Sequence, residues 1–169
     1  MVNVNVSFEN AYEIFAADDV YDVETVAVAL AQHFLKNNDV VKNSALNGFD
    51  FSEISFGLIF VNDVEIHSIN KEYRQKDSPT DVITFALFAD AEPKFIHDGN
   101  VEWGEIIVSL DTIEKQAKEN GNDFKNELYY IISHGILHLF GYDHLTQEEY
   151  ELMVKLQKES LKEIDVKIH

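Results

Sequence analysis

The sequence predicts an α+β domain in which helices cover a small mixed sheet of four strands. Three observations support this prediction. Four segments have the alternating or β-branched pattern of strands, several others repeat apolar residues at helical spacing, and the two kinds do not strictly alternate along the chain. The chain has 169 residues, 46% of them apolar. That is enough to bury a core, and we expect one domain over residues 1–169.

The first half of the chain contains two predicted strands and two predicted helices. Residues 2–8 alternate Val or Phe with Asn or Ser, which indicates a strand with one wet face. Residues 23–35 are apolar at helical spacing and predict a helix. Residues 51–61 are aromatic and β-branched, which favours a central strand, and a short helix follows over residues 63–73. Pro79 closes the polar turn after that helix, because proline has no N–H to donate to a sheet ladder.

The second half begins with two further predicted strands, residues 82–88 and residues 105–109. The segment between them, residues 91–100, contains Pro and Gly and is polar, so we expect a loop there. The four predicted strands are therefore separated by helices in some places and by loops in others, which is typical of a mixed sheet.

The remaining segments are predicted helices, recognised by the residues at their ends. Asp111 begins one helix, with Glu114 as its capping-box partner, and Gly121 ends it. Residues 123–140 predict the next helix, with an aspartate as its cap. Residues 146–164 predict a terminal helix that opens on a Thr-x-x-Glu capping box.

The chain is strongly acidic, with 31 acidic residues against 13 basic ones and a net charge of −18. Such a charge argues against binding of nucleic acid through a broad positively charged surface, and it is most simply explained by solubility. Arg74 is the single arginine of the chain. It suits a task that needs a planar, permanently charged fork, unless it is an ordinary surface residue. Since the chain has no cysteine, any transition-metal site must use His, Asp or Glu.

Neither a targeting segment nor a membrane span is visible in the sequence. The N-terminal residues lack a basic region followed by an apolar one. The longest apolar runs, such as residues 54–61 and 82–89, are too short to cross a bilayer. We therefore expect a cytoplasmic protein with no membrane partner.

Three histidines lie close together in the segment HGILHLFGYDH, residues 134–144. His134 and His138 are four residues apart, so on a helix both rings leave the same face. Gly141 can end that helix in a left-handed turn, which allows the chain to bring His144 back to the other two rings. Three neutral nitrogen ligands with an open fourth position are typical of a catalytic zinc site, although Ni2+ and other divalent ions also bind such sites. The alternative is unrelated core or surface histidines. We interpret the remaining four in that way: His33, His67, His97 and His169.

The spacing of the three histidines is that of the metzincin peptidases, H-E-x-x-H-x-x-G-x-x-H. In those enzymes the glutamate is the general base, but this chain has Gly135 in its place. Peptide hydrolysis by that mechanism is therefore disfavoured, and a proton-handling group must come from another strand or loop. Asp143, next to the third histidine, either orients a ligand or serves only in the turn.

The histidine segment, H-G-x-L-H-L-x-G-Y-D-H, resembles the signature of the YbeY family of zinc-dependent endoribonucleases. Two further segments are similar to that family and occur in the same order: IHSINKEYRQKDSPTDVITF, residues 66–85, and WGEIIVSLDTIEKQA, residues 103–117. The resemblance implies a mixed four-stranded sheet with surrounding helices and a metal at the base of a cleft. It also implies maturation of ribosomal RNA, notably at the 3′ end of the small-subunit RNA, and ribosome quality control.

The resemblance further implies roles for individual residues. His134, His138 and His144 match the metal ligands, with one Zn2+ per chain. Arg74 matches the arginine of the cleft, where it would hold the scissile phosphate bidentately. Glu105 stands where the family commonly has Asp; we expect it to be the missing general base or else a strand-end carboxylate that faces water. The nucleophile is either water, activated by the metal, or the 2′-hydroxyl of the ribose.

The expected partner is ribosomal RNA, helped by local positive charge near the cleft or delivered by a small-subunit ribosomal protein or an assembly GTPase. Two other classes of function remain open. One is a metal-dependent hydrolase of a peptide or small amide that uses Glu105 as its base. The other is a non-enzymatic ribosome-assembly factor with a structural metal. Placement of the Glu105 carboxylate within hydrogen-bond range of a water on the metal would favour the first, and a fourth protein ligand would favour the second.

Overall fold

The structure is a computed structural model that describes residues 2–12 and 22–168. Within these residues four strands form one sheet: β1 (Asn3–Asn10), β2 (Glu53–Val61), β3 (Val82–Phe85) and β4 (Asn100–Ser109). The same residues contain seven helices: α1 (Val23–Leu35), α2 (Asn38–Lys42), α3 (Asp63–Arg74), α4 (Leu87–Asp90), α5 (Leu110–Asn120), α6 (Phe124–Phe140) and α7 (Gln147–Ile168). The predicted α+β class with a four-stranded sheet is confirmed. None of these helices combines the length and the apolar character that crossing a bilayer requires.

The sheet is mixed, with the strand order β1-β2-β4-β3. β1 runs parallel to β2, and β2 runs parallel to β4, whereas β3 lies antiparallel to β4 at the edge. The inner strands β2 and β4 contain most of the buried β-branched and aromatic residues of the sheet, as residues of this kind favour a pleated, covered surface. The register between the inner strands shifts at Ser55 and Phe56, where Trp103 is the additional residue of β4.

Several boundaries in the sheet region differ from the prediction. β3 ends at Phe85 instead of residue 88, because the chain turns into α4 and buries Phe88 in the main core. β4 begins at Asn100, well before its expected start at Glu105, because the preceding segment pairs with β2. The short helix α2 was not predicted. The side chain of Asn37 caps it by accepting two backbone N–H hydrogen bonds.

The start of α5 also differs from the prediction. The hydroxyl of Ser109 accepts a hydrogen bond from the N–H of Thr112 at 3.5 Å, so Ser109 and not Asp111 is the cap. The carboxylate of Asp111 instead accepts hydrogen bonds from the hydroxyl of Tyr12 and from the N–H of Asp63, the latter at 3.0 Å. Asp111 therefore ties α5 to α3 and to the end of β1, a tertiary contact that outweighs its local capping preference.

The predicted helix ends are confirmed at three places. Gly121 and Gly141 end α5 and α6 with φ of 67° and 102°, the left-handed region that glycine adopts without strain. Thr146 and Glu149 form the predicted capping box: the N–H of Glu149 donates to the Thr146 hydroxyl at 3.1 Å, and the N–H of Thr146 donates to the Glu149 carboxylate at 3.4 Å. α7 then continues to Ile168, beyond the expected end.

α6 is the central helix of the main core, where it contacts α1, α5, α7 and the strands β3 and β4. Gly135 lies where the helix crosses β4, and a Cβ at this position would come within 2.8 Å of Cγ2 of Ile106. Only glycine permits this close approach. The helix is therefore held against the sheet at the residue that follows the first histidine of the motif.

Candidate metal centre

The structure brings the three predicted histidines together. His134 and His138 leave the same face of α6, and their Nε2 atoms lie 3.0 Å apart. The left-handed turn at Gly141 reverses the chain, and His144 approaches the pair from the loop before α7. One nitrogen from each ring can be chosen so that all three lie within 4.8 Å of one another. This is the geometry of a site that could hold a metal ion.

Hydrogen bonds fix the orientation of the two helical rings. Nδ1 of His138 lies 2.8 Å from the carbonyl oxygen of Tyr142, and Nδ1 of His134 lies 3.2 Å from Oε1 of Gln157. When the proton of each ring is on Nδ1, Nε2 carries a free lone pair. The lone pairs of the two rings then point into the space between His134 and His138. Gln157 is only 2% exposed. Its amide nitrogen donates to the carbonyl oxygen of Tyr130 at 3.3 Å, which aims its oxygen at His134.

Burial also sets the charge of these rings. It lowers the pKa of His134 below its ordinary value, and the hydrogen bond that Nδ1 of His134 donates to Gln157 opposes this with a smaller effect. Burial, together with the smaller effect of the neighbouring His134, lowers the pKa of His138 to about 4. Both rings are therefore neutral at neutral pH, which is the state that a metal ligand requires.

The histidines form the base of a cleft of about 590 Å3 between α6 and the segment from Arg74 to Thr84. Arg74, at the end of α3, is exposed and borders the same cleft, as expected. Asp81 forms part of the wall. One of its carboxylate oxygens accepts a hydrogen bond from the N–H of Val82 at 2.7 Å, and the other accepts one from Nε2 of Gln116 at 3.3 Å.

The structure does not bring Glu105 to the histidines. Its neighbour on β4, Ile106, faces α6, so the side chain of Glu105 points to the opposite side of the sheet. There its Cγ would lie 3.3 Å from a Cβ built on Gly57, and it borders a separate depression of about 660 Å3 formed with β1 and β2. The expectation that Glu105 serves as the general base at this site is therefore corrected.

Two other carboxylates lie in the cleft that contains the histidines. Asp81 and Asp143 border the cleft, and Asp143 accepts a hydrogen bond from the N–H of His144 at 2.8 Å. The sequence indicates a functional role for these two residues only weakly, since an aspartate before a strand or in a turn usually has a local structural role. Among the histidines set apart earlier, His33, His67 and His97 lie outside the cluster, and His169 lies outside the described residues.

The fold and the site together define the class of the protein: an α+β domain with a three-histidine cluster that could hold a metal ion at the base of a cleft. A family model described as Endoribonuclease YbeY matches residues 18–165. The chain belongs to this family.

Individual relatives agree with the family match. A protein named Endoribonuclease YbeY in Bacillus subtilis is 46% identical over 121 residues, which are 66% of this chain and 72% of that protein. One with the same name in Desulforamulus reducens is 36% identical over 140 residues, 82% of this chain and 92% of that protein. A Synechococcus relative is 43% identical over 109 residues, and the chain spans only 60% of its length. The solution structure of TM1509 from Thermotoga maritima is similar with a TM-score of 0.52 and 26% identity, covering 96% of this chain and 93% of that one.

Proposed function

We propose that this protein is a metal-dependent endoribonuclease of the single-strand type that acts on ribosomal RNA. Family membership supports the proposal, because the relatives in B. subtilis and D. reducens are named endoribonucleases. The observation that carries it is a single cleft that contains the three histidines and also Arg74, the one arginine of the chain. We further propose a role in maturation of the 3′ end of small-subunit rRNA and in ribosome quality control, for a cytoplasmic protein of one domain.

The histidine cluster would hold one zinc ion. His134 and His138 offer their Nε2 atoms because their Nδ1 atoms are hydrogen bonded, and His144 offers a third nitrogen from the loop. A bound divalent ion supplies Lewis acidity at the base of the cleft. Because burial keeps the two helical rings neutral, no proton has to leave them before the ion binds. The same nitrogen donors would also accept nickel.

Arg74 would bind the phosphate at the scissile bond. Its guanidinium has five N–H donors in a planar fork that matches two phosphate oxygens, and it keeps its charge at any physiological pH. It is exposed and borders the same cleft as the histidines, which supports a phosphate-binding role beside the metal site. The charge of Arg74 would then offset negative charge that develops on the phosphate oxygens during cleavage.

The other two classes of function receive less support. The peptide or amide hydrolase depended on Glu105 as its base, and that carboxylate faces away from the cleft. The assembly factor with a structural metal would need a fourth protein ligand. In the described parts of the chain, no further His, Asp or Glu joins the histidine cluster, which leaves a position for a reactant.

The net charge of −18 opposes long-range attraction between the protein and RNA. Arg74 and Lys76 border the cleft together with Asp81, Asp90 and Asp143, so local positive charge there would depend on the bound metal ion as well as on these two residues and Lys71. We propose that a small-subunit ribosomal protein or an assembly GTPase delivers the RNA, because a partner can supply the affinity that overall charge does not.

The proposal is tested by incubating the zinc-loaded protein with structured RNA and, separately, with casein. We expect cleavage of the RNA alone. Arg74→Ala is expected to lower kcat for RNA by about 10²-fold or more with an unchanged zinc content, while the matched control Lys36→Ala, remote from the cleft, retains activity. Cleavage of casein but not RNA would reject the proposal, and loss of zinc from Arg74→Ala would show that the arginine acts structurally.

A further inference from the structure

Three lysines form a stripe on the exposed face of α7: Lys155, Lys158 and Lys162, which we call the lysine stripe. Positions three, four and seven residues apart on a helix lie within an arc of about 60°. All three side chains are exposed, and among the described residues none of them forms an ion pair. In a chain with only 13 basic residues and a net charge of −18, three neighbouring lysines on one helix face are a local concentration of positive charge.

The surface of the lysine stripe adjoins the metal centre through a small depression. A small depression of about 170 Å3 between α6 and α7 shares His134 and His144 with the cleft. The same depression shares Tyr150 and Val154 with a shallow surface of about 530 Å3 that the three lysines border. Three adjoining depressions therefore run from the cleft that Arg74 borders, past His134 and His144, to the surface that Lys162 borders, and we call them the path.

Tyr150 borders both the small depression and the surface of the lysine stripe, and it is 52% exposed. An exposed aromatic ring offers a stacking surface for any base, without sequence preference. Glu151 and Glu159 also border the surface, so the stripe is not part of a uniformly basic region. Its contribution is a row of discrete ammonium groups that can each approach one phosphate.

We propose that single-stranded RNA extends from the cleft along α7, with a base stacked on Tyr150 and backbone phosphates bound by the lysine stripe. The inference rests on the proposed endoribonuclease function and adds a second contact region to it. The stripe spans seven residues, about 10 Å along the helix axis, which is long enough for more than one phosphate. RNA is the occupant that the path favours, because the same surface leads into the site where the chain would be cut.

The test compares two triple variants that remove the same charge. One is Lys155→Gln with Lys158→Gln and Lys162→Gln. The matched control changes Lys36, Lys42 and Lys115 to Gln, all exposed and none bordering the cleft or the path. The probe is a fluorescent 20-nucleotide single-stranded 2′-O-methyl RNA, and its Kd is measured by anisotropy as salt is varied. Thermal melts check that both variants fold.

Each phosphate contact on a single strand contributes about 0.7 to the slope of log Kd against log salt concentration. We therefore expect the stripe variant to flatten this slope by about 2 and to raise Kd at 0.1 M salt by about tenfold or more. The control should match the wild type. Tyr150→Leu should raise Kd by about fivefold or more through lost stacking. For a trinucleotide substrate that fills only the cleft, kcat/KM of the stripe variant should be unchanged.

Two outcomes overturn the inference, and they are distinguishable. Wild-type protein that binds the RNA while the stripe variant keeps the same Kd and salt slope would reject the path along α7 alone. The lysines would then serve another partner, such as an acidic protein surface. Wild-type protein that neither binds nor cleaves any RNA would reject the proposed function together with the path.

Discussion

Replacing Gly135 with alanine tests whether α6 packs on the sheet as closely as the structure shows. An alanine Cβ would lie 2.8 Å from Cγ2, 3.1 Å from Cδ1 and 3.2 Å from Cγ1 of Ile106. Ile106 cannot withdraw easily, because it is fully buried and its branched side chain has a restricted χ1 angle. Either α6 must move away from β4 or Ile106 must adopt a strained rotamer.

Two contributions to the free energy of unfolding oppose each other in this variant. Overpacking in a closed core destabilises by about 1–3 kcal/mol, whereas alanine in place of glycine within a helix stabilises by about 0.5–1 kcal/mol. The overpacking cost is larger. We therefore expect Gly135→Ala to lower the free energy of unfolding by about 1 kcal/mol and Tm by about 2–4 °C for a chain of this length.

Urea unfolding measures this change, and a double-mutant cycle with Ile106→Ala assigns its cause. Ile106→Ala removes all three atoms that the new methyl group would meet. In that background Gly135→Ala should stabilise the protein through helix propensity alone. A single variant more stable than the wild type, or an equal effect in both backgrounds, would refute the packing argument.

Three further predictions concern the site itself. Gln157→Ala is expected to weaken zinc binding by about 10–100-fold, because His134 loses the acceptor that orients it; competition with a chromophoric chelator measures this, and unchanged affinity would count against it. Glu105→Gln should leave RNA cleavage unchanged, since the side chain lies on the other sheet face; a large loss of kcat would restore its role. The metal-free protein should lose stability as pH falls from 6.5 towards 4, because burial lowers the pKa of His138 to about 4 and the unfolded chain then binds a proton that the folded state does not. Equal urea stability at pH 7 and pH 5 would contradict this.

The parts of the site that the sequence predicted depend on local geometry. Spacing of four residues on a helix places His134 and His138 on one face, and Gly141 is a residue that turns the chain back. These relations require no knowledge of distant elements. The capping box at Thr146 is likewise local, because donor and acceptor lie within one helical turn.

The errors arose where distant contacts decide the outcome. Glu105 lies at the edge of a run in which successive residues of β4 are buried on both faces, so the sequence shows no alternation that would assign its face. Asp111 was predicted as a cap but bonds to Tyr12 and Asp63. Gln157, which orients His134, lies 23 residues further along the chain, and no local pattern indicates that pairing.

Calorimetric titration of the metal-free protein with zinc at pH 7 tests the central claim most directly. The arrangement of His134, His138 and His144 within 4.8 Å of one another predicts one ion bound per chain. Replacing any one of the three by alanine should greatly weaken that binding, while His67→Ala, at an exposed histidine outside the cluster, should not. Absence of binding by the wild type, or equal affinity in His138→Ala and His67→Ala, would contradict the account.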